Sequence, residues 1–119
     1  MPKSYIPDAG DIVWLEFDPQ AGRGQAGHRA ALVLSLASHN DKVSLALCCP
    51  LSTKVKGYPF EVEVETGKTT SVVLLDQVKS LDGHERKAKF KSKISSSQLS
   101  QVRENIKALL SIPLCNARI

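Results

Sequence analysis

Residues 22–35 read GRGQAGHRAALVLS. Two fixed cations, Arg23 and Arg29, and one imidazole, His28, stand in a loop of small residues that runs into an apolar, strand-like stretch. Glycine has no Cβ, so such a loop lets another molecule approach the backbone closely. Arg29 stands where the loop meets the strand, which restrains a guanidinium that would otherwise wander. That combination suits gripping a phosphate, and equally a plain surface hairpin. A second basic stretch, HERKAKFKSK at 84–93, is ambiguous in its own way. Its lysines draw polyanions through a long-range field, or they guard an exposed sheet edge against pairing.

The charge is unevenly spread. Residues 1–82 carry 8 Lys+Arg against 10 Asp+Glu, whereas 83–119 carry 8 against 2, within a net charge of +4. At 119 residues, 42% hydrophobic and 24% charged, the chain fits one soluble domain with a core of its own. No window approaches the roughly 18 apolar residues of a membrane span. The polar start MPKSYIPDAGD does not read as a secretory signal, so a cytoplasmic protein is expected. Cys48 and Cys49 are neighbours and Cys115 is distant, without CxxC or zinc spacing; reduced structural thiols and no metal site are expected.

Five apolar runs recur between turn signals: DIVWLEF (11–17), ALVLSL (31–36), SLALCC (44–49), FEVEVE (60–65) and TSVVLLDQV (70–78). FEVEVE alternates strictly, setting Phe60, Val62 and Val64 on one face and three glutamates on the other. In the basic stretch Arg86, Ala88 and Phe90 alternate with Lys87, Lys89 and Lys91. One segment has a different period. QLSQVRENIKALLSI puts Leu99, Val102, Ile106, Leu109 and Leu110 at helical spacing, with Ser95, Ser96 or Ser97 to cap it and Pro113 just beyond its end. The pattern predicts a mainly β (α+β) fold, a small barrel or strongly bent antiparallel sheet closed by a C-terminal helix. A single domain over 1–112 is expected, followed by a frayed tail at 113–119.

Four blocks, PDAGDIVWLEFDPQAG, GQAGHRAALVLS, CPLSTKVKGYPFEV and VVLLDQVKSLD, are similar in order and spacing to MazF/PemK-type toxins of bacterial toxin–antitoxin pairs. The similarity spans roughly residues 5–111. It implies an SH3-like barrel, a homodimer and metal-independent endoribonuclease cleavage of single-stranded RNA, with no cofactor. It also implies an acidic antitoxin that blocks the RNA groove.

The resemblance assigns roles residue by residue. Arg29 stands at the family's catalytic arginine; its forked donors suit two phosphate oxygens at once. Ser52 replaces the threonine usual in a P-x-T pattern, and Thr53 beside it offers a second hydroxyl. Many relatives carry an acidic residue before Gln25, where this chain has Gly24, so neither a base nor a loop brace comes from that side chain. His28 is then the first candidate base, because imidazole as a class titrates near neutral pH; the alternatives are a weakened toxin, or Arg23 adding RNA affinity while the chemistry relies on Arg29 alone. Arg23, Gln25, Lys54, Lys56, Asp76 and Gln77 are candidate RNA contacts, and Tyr58 is the candidate for base stacking. PemK-like members use an arginine where this chain has Leu74, so that site does not carry over. Two other functions compete: a topoisomerase poison like CcdB, whose C-terminal aromatic and glycine signature SIPLCNARI lacks, and an RNA-binding relative weakened at Gly24.

Overall fold

A strand with apolar residues at successive positions has to be covered on both faces. DIVWLEF and GHRAALV are strands of this kind, and in the computed structural model they pair as β1 (Asp11–Phe17) and β2 (Gly27–Val33). The structure describes residues 5–17, 27–54, 56–57, 60–66 and 69–117, with Phe17, Gly27, His28 and 111–117 as backbone alone. Helix α1 (Ala37–Val43) leads to β3 (Ala46–Ser52), β4 (Glu61–Thr66) and β5 (Thr69–Leu74). A 3-10 turn at Leu75–Gln77 precedes β6 (Lys79–Leu81), β7 (Lys89–Lys93) and helix α2 (Ser96–Ala117). The strands run in the order β4-β5-β3-β2-β1-β7, with β6 joined to β3. Every pairing is antiparallel. The result is a curled half-barrel sheet with a C-terminal helix, as the apolar pattern predicts.

Each face carries its own core. On one, Ile12, Leu32, Cys49, Leu51, Val62, Val64, Val73 and Leu75 pack with Val102 of α2. On the other lie Val13, Leu15, Ala31, Val33, Ala46, Cys48 and Leu81. The glutamate-rich strand behaves as its alternation dictates: Val62 and Val64 are buried, and Phe60 packs beside them. Helix α2 starts where Ser95 Oγ accepts the Gln98 N–H at 3.1 Å, a cap worth about 1 kcal/mol.

Four expectations shift. β2 begins at Gly27 and ends at Val33, because the Ser35 hydroxyl donates to Asn40 Oδ1 (2.6 Å) and accepts from the Leu47 N–H (2.9 Å), turning the chain into α1. β3 is displaced toward Ser52, since Ser44 takes the left-handed C-cap of α1 (φ 63°) and cannot continue a strand. Helix α2 winds past Pro113 to Ala117; a proline inside a helix removes one hydrogen bond and costs about 3 kcal/mol, but the turns beyond it can still wind. Leu110 is not core: it is 68% exposed, while Val102 is fully buried and Ile106 partly so.

The segment before β1 is tied down by short polar links. Asp11, buried, accepts from Tyr5 Oη, from the Asp8 N–H (3.0 Å) and from Lys93 Nζ (2.9 Å). Gly10 makes the turn into β1 at φ +93°, where a side chain would be strained and its Cβ would meet Leu99 at 3.4 Å. Asn40 Nδ2 donates to the Pro7 carbonyl (2.8 Å), and Asp8 Oδ1 accepts the Ala37 N–H (2.9 Å) at the start of α1. That last bond holds the Asp8 carboxyl below its ordinary range. A group depressed in the folded state contributes stability that is fully present above its unfolded pKa, near 4, and is lost as pH falls through the folded value. Asp8→Asn is therefore expected to flatten the acid limb of the stability–pH curve below about pH 4, read by urea unfolding. An acid limb identical to that of the unaltered protein would contradict this.

Candidate active site

β3 changes neighbours half-way along. On one side it pairs with β2 (Ala31↔Pro50, Leu32↔Cys49, Val33↔Cys48). On the other it pairs with β6 from Ala46 to Cys48 and with β5 from Leu51 to Ser52. Pro50 lies beside this gap. It has no N–H to offer a ladder, so it fits where the sheet parts. The 3-10 turn carrying Asp76 and Gln77 spans from the end of β5 to the start of β6. Side chains alternate across a strand, so Arg29 and Ala31 of β2 share a face with Pro50 of β3. The Ala31↔Pro50 register, carried two residues further, sets position 52 opposite position 29.

Two adjoining concavities occupy this place. One, about 60 Å3, is lined by Arg29, Ala30, Ala31, Cys48, Pro50, Gln77, Lys79 and Leu81. The other, about 210 Å3, is lined by Ser52, Lys54, Lys56, Phe60, Glu61, Leu74, Asp76 and Gln77. Gln77 belongs to both and joins them into one groove. Its walls hold four cations, Arg29, Lys54, Lys56 and Lys79, against two carboxylates, so the groove suits an anion. A larger concavity, about 440 Å3, is elsewhere, among Tyr5, Ile6, Pro7, Asn40, Leu45 and His84. It contains no lysine or arginine and its one charge is Asp41. Size does not select it for phosphate chemistry.

The groove's polar groups are braced from within. Ser52 Oγ accepts the Lys54 N–H at 3.1 Å, which fixes the hydroxyl oxygen and leaves its proton to donate. Glu61 Oε1 accepts the N–H groups of Lys56 (3.1 Å) and Gly57 (3.0 Å). Gly57 sits at φ +77°, a conformation that disfavours a side chain. One carboxylate thus orders the loop that presents both lysines. Burial pushes the Cys48 thiol up to about 12. Burial, with the neighbouring Cys48 and Asp76 charges, does the same for Cys49. Neither thiol is a nucleophile near neutral pH, in keeping with a structural role. Among the described residues no three His, Cys, Asp or Glu side chains converge to hold a metal ion.

Arg29, Ser52, Lys54, Lys56, Asp76 and Gln77 are thus brought to one groove, and Thr53 is exposed beside Ser52. His28 pairs with Glu16 in the ladder, whereas Arg29 pairs with Leu15. The His28 side chain, the candidate base, lies outside the described residues. Arg23, Gly24, Gln25 and Tyr58 lie outside the described residues. Two groove residues escaped the sequence reading. Lys79 opens β6 just after the 3-10 turn, and no periodicity in the DQVKSLD block singles it out. Glu61 looked like one of three solvated glutamates, and alternation alone cannot single it out.

Residues 8–110 match the family described as PemK-like, MazF-like toxin of type II toxin–antitoxin systems. The chain belongs to this family. Over 110 residues it is 42% identical to the endoribonuclease toxin MazF of Escherichia coli K12, covering 92% of this chain and 99% of that protein. The ChpB endoribonuclease toxin of the same organism is 36% identical over 88 residues, 69% of this chain and 75% of that one. Among solved structures, a MazE–MazF crystal form from Deinococcus radiodurans superposes with a TM-score of 0.83 at 44% identity, covering 91% and 98% of the two chains. A mycobacterial endoribonuclease with its antitoxin, only 16% identical, shares the fold at a TM-score of 0.72 over 90% of this chain and 97% of that one. The matching relatives are ribonuclease toxins, which favours that reading over a topoisomerase poison.

Proposed function

We propose that this toxin is an endoribonuclease that cuts single-stranded RNA in the Arg29–Ser52 groove. The observation that carries the reading is the shared face of those two residues at the break in β3's pairing. In the reaction a ribose 2′-oxygen loses its proton and attacks the adjacent phosphorus. The bond to the departing 5′-oxygen breaks, and that oxygen takes up a proton, leaving a 2′,3′-cyclic phosphate and a 5′-hydroxyl. Charge accumulates on the non-bridging oxygens as the pentacoordinate state forms. Arg29, with a fixed charge and two parallel donors, is suited to that change. The Ser52 hydroxyl donates to a phosphate oxygen, and Lys54, Lys56 and Lys79 hold the flanking phosphates. Asp76 and Gln77 offer hydrogen bonds to base edges.

The same cations suit an acidic antitoxin segment, which would exclude RNA by occupying the groove; MazE–MazF complexes of relatives support such a partner. The homodimer implied by the resemblance would draw on apolar side chains left exposed in the single chain. Among the described residues Leu36, Val43, Leu45, Leu47 and Val78 are each more than a third exposed. No helix among the described residues is long and apolar enough to cross a membrane. An mRNA substrate would be met in the cytoplasm, which is the location this reading expects.

Arg29→Ala is expected to slow cleavage of a mixed-sequence RNA by roughly two to three decades, about 3–4 kcal/mol, with an unchanged circular dichroism spectrum. Product ends should be cyclic phosphate and 5′-hydroxyl. Cleavage by the variant at the wild-type rate, or a wild-type protein that binds RNA and leaves it whole, would contradict the reading. Leu45→Lys with Leu47→Lys is expected to halve the sedimenting mass; an unaltered mass would place the dimer contact elsewhere.

A further inference from the structure

The basic stretch that stood out in the sequence does not line the Arg29 groove. Part of it forms β7, the last strand of the sheet order. Its lysines are not equivalent. Lys93 is committed to Asp11 (2.9 Å) and Lys87 stands 3.9 Å from Glu16. Lys89 is exposed and lies opposite Trp14. Lys91 falls at the irregularity in the β1–β7 register, and its Nζ is 5.5 Å from the centroid of the Trp14 ring. Trp14, the one tryptophan of the chain, is 38% exposed. Guarding a sheet edge calls for charge and a bulge. It does not call for a solvent-facing indole beneath an ammonium.

We infer that Lys89, Lys91 and Trp14 form a second, sequence-independent contact for the RNA strand, outside the cleavage groove. The lysines would pair with phosphates, and the indole would stack a base in the way that single-strand platforms do. Trp14 pairs with Ala30 and with Lys89, whereas Arg29 pairs with Leu15, so Trp14 and Lys89 lie on the sheet face opposite Arg29. β7 is two inter-strand spacings from β2, about 10 Å, and ends the strand order. A strand leaving the groove reaches Lys89 and Trp14 by passing over that edge, so RNA confined to the cut site does not engage them. Long RNA would then be held more tightly than a short oligonucleotide spanning only the cut, with a steeper dependence on salt. The ligand named here rests on the ribonuclease reading.

The test compares wild-type protein with Lys89→Gln/Lys91→Gln, leaving Lys87 and Lys93 in place. Affinity is measured across a salt series for a long and a short RNA, both 2′-O-methylated so that neither is cut. Cleavage of the unmodified short RNA is followed separately. For the long RNA, the expected result is weaker binding and a slope of log K against log salt reduced by about 0.7 for each lysine removed. Binding and cleavage of the short RNA should be unchanged. Wild-type affinity and slope on the long RNA would overturn the inference, including where the variant merely self-associates or loses affinity for polyglutamate. Should the wild-type protein leave the unmodified short RNA whole, the ribonuclease reading fails, while the methylated RNAs still decide whether β7 binds the strand.

Discussion

The structure turns on the way β3 divides its hydrogen bonds. A strand bonded along its full length to one neighbour on each side makes a closed surface. β3 is bonded to β2 on one side, but on the other to β6 at its start and to β5 at its end. Where one partner stops and the next begins, the sheet opens and the 3-10 turn spans the gap. Pro50 makes the opening inexpensive, because its missing N–H would be unsatisfied there in any case. The groove lined by Arg29, Ser52, Asp76 and Gln77 lies along that break.

Rigidity around the break comes from the double core. β1 and β2 are buried on both faces near their centres, by α2 and β4–β5 on one side and by β6 with Ala88 on the other. Interiors packed at this density transmit strain and resist shifts of even a methyl group. Arg29, two residues from buried Ala31, thus has a backbone with little freedom, and Ser52 is held by the same sheet. On the loop side the brace is electrostatic: Glu61 gathers the amides of Lys56 and Gly57.

Much of this was legible in the chain. Strict alternation in FEVEVE gave the buried Val62 and Val64. Helical spacing gave the buried Val102, and Ser95 marked the start of its helix. Block resemblance singles out Arg29 and Ser52, and the β2–β3 register, carried two residues on, sets these two positions opposite each other. What escaped depends on long-range pairing. β6 has three residues and no periodicity to detect; it exists because β3 had an edge to fill. α1 is held by Asp8 and Asn40 bonds to residues about thirty positions away, and no local pattern announces it.

The central claim is that Arg29 and Ser52 act on one phosphodiester from one face. A double-mutant cycle on cleavage of a short RNA measures it most directly, using Arg29→Ala, Ser52→Ala and the pair. Two groups serving the same oxygens are coupled, so the combined loss should fall short of the summed single losses by about 0.5–3 kcal/mol. Strict additivity, or a Ser52→Ala variant as fast as the unaltered protein, would contradict the account.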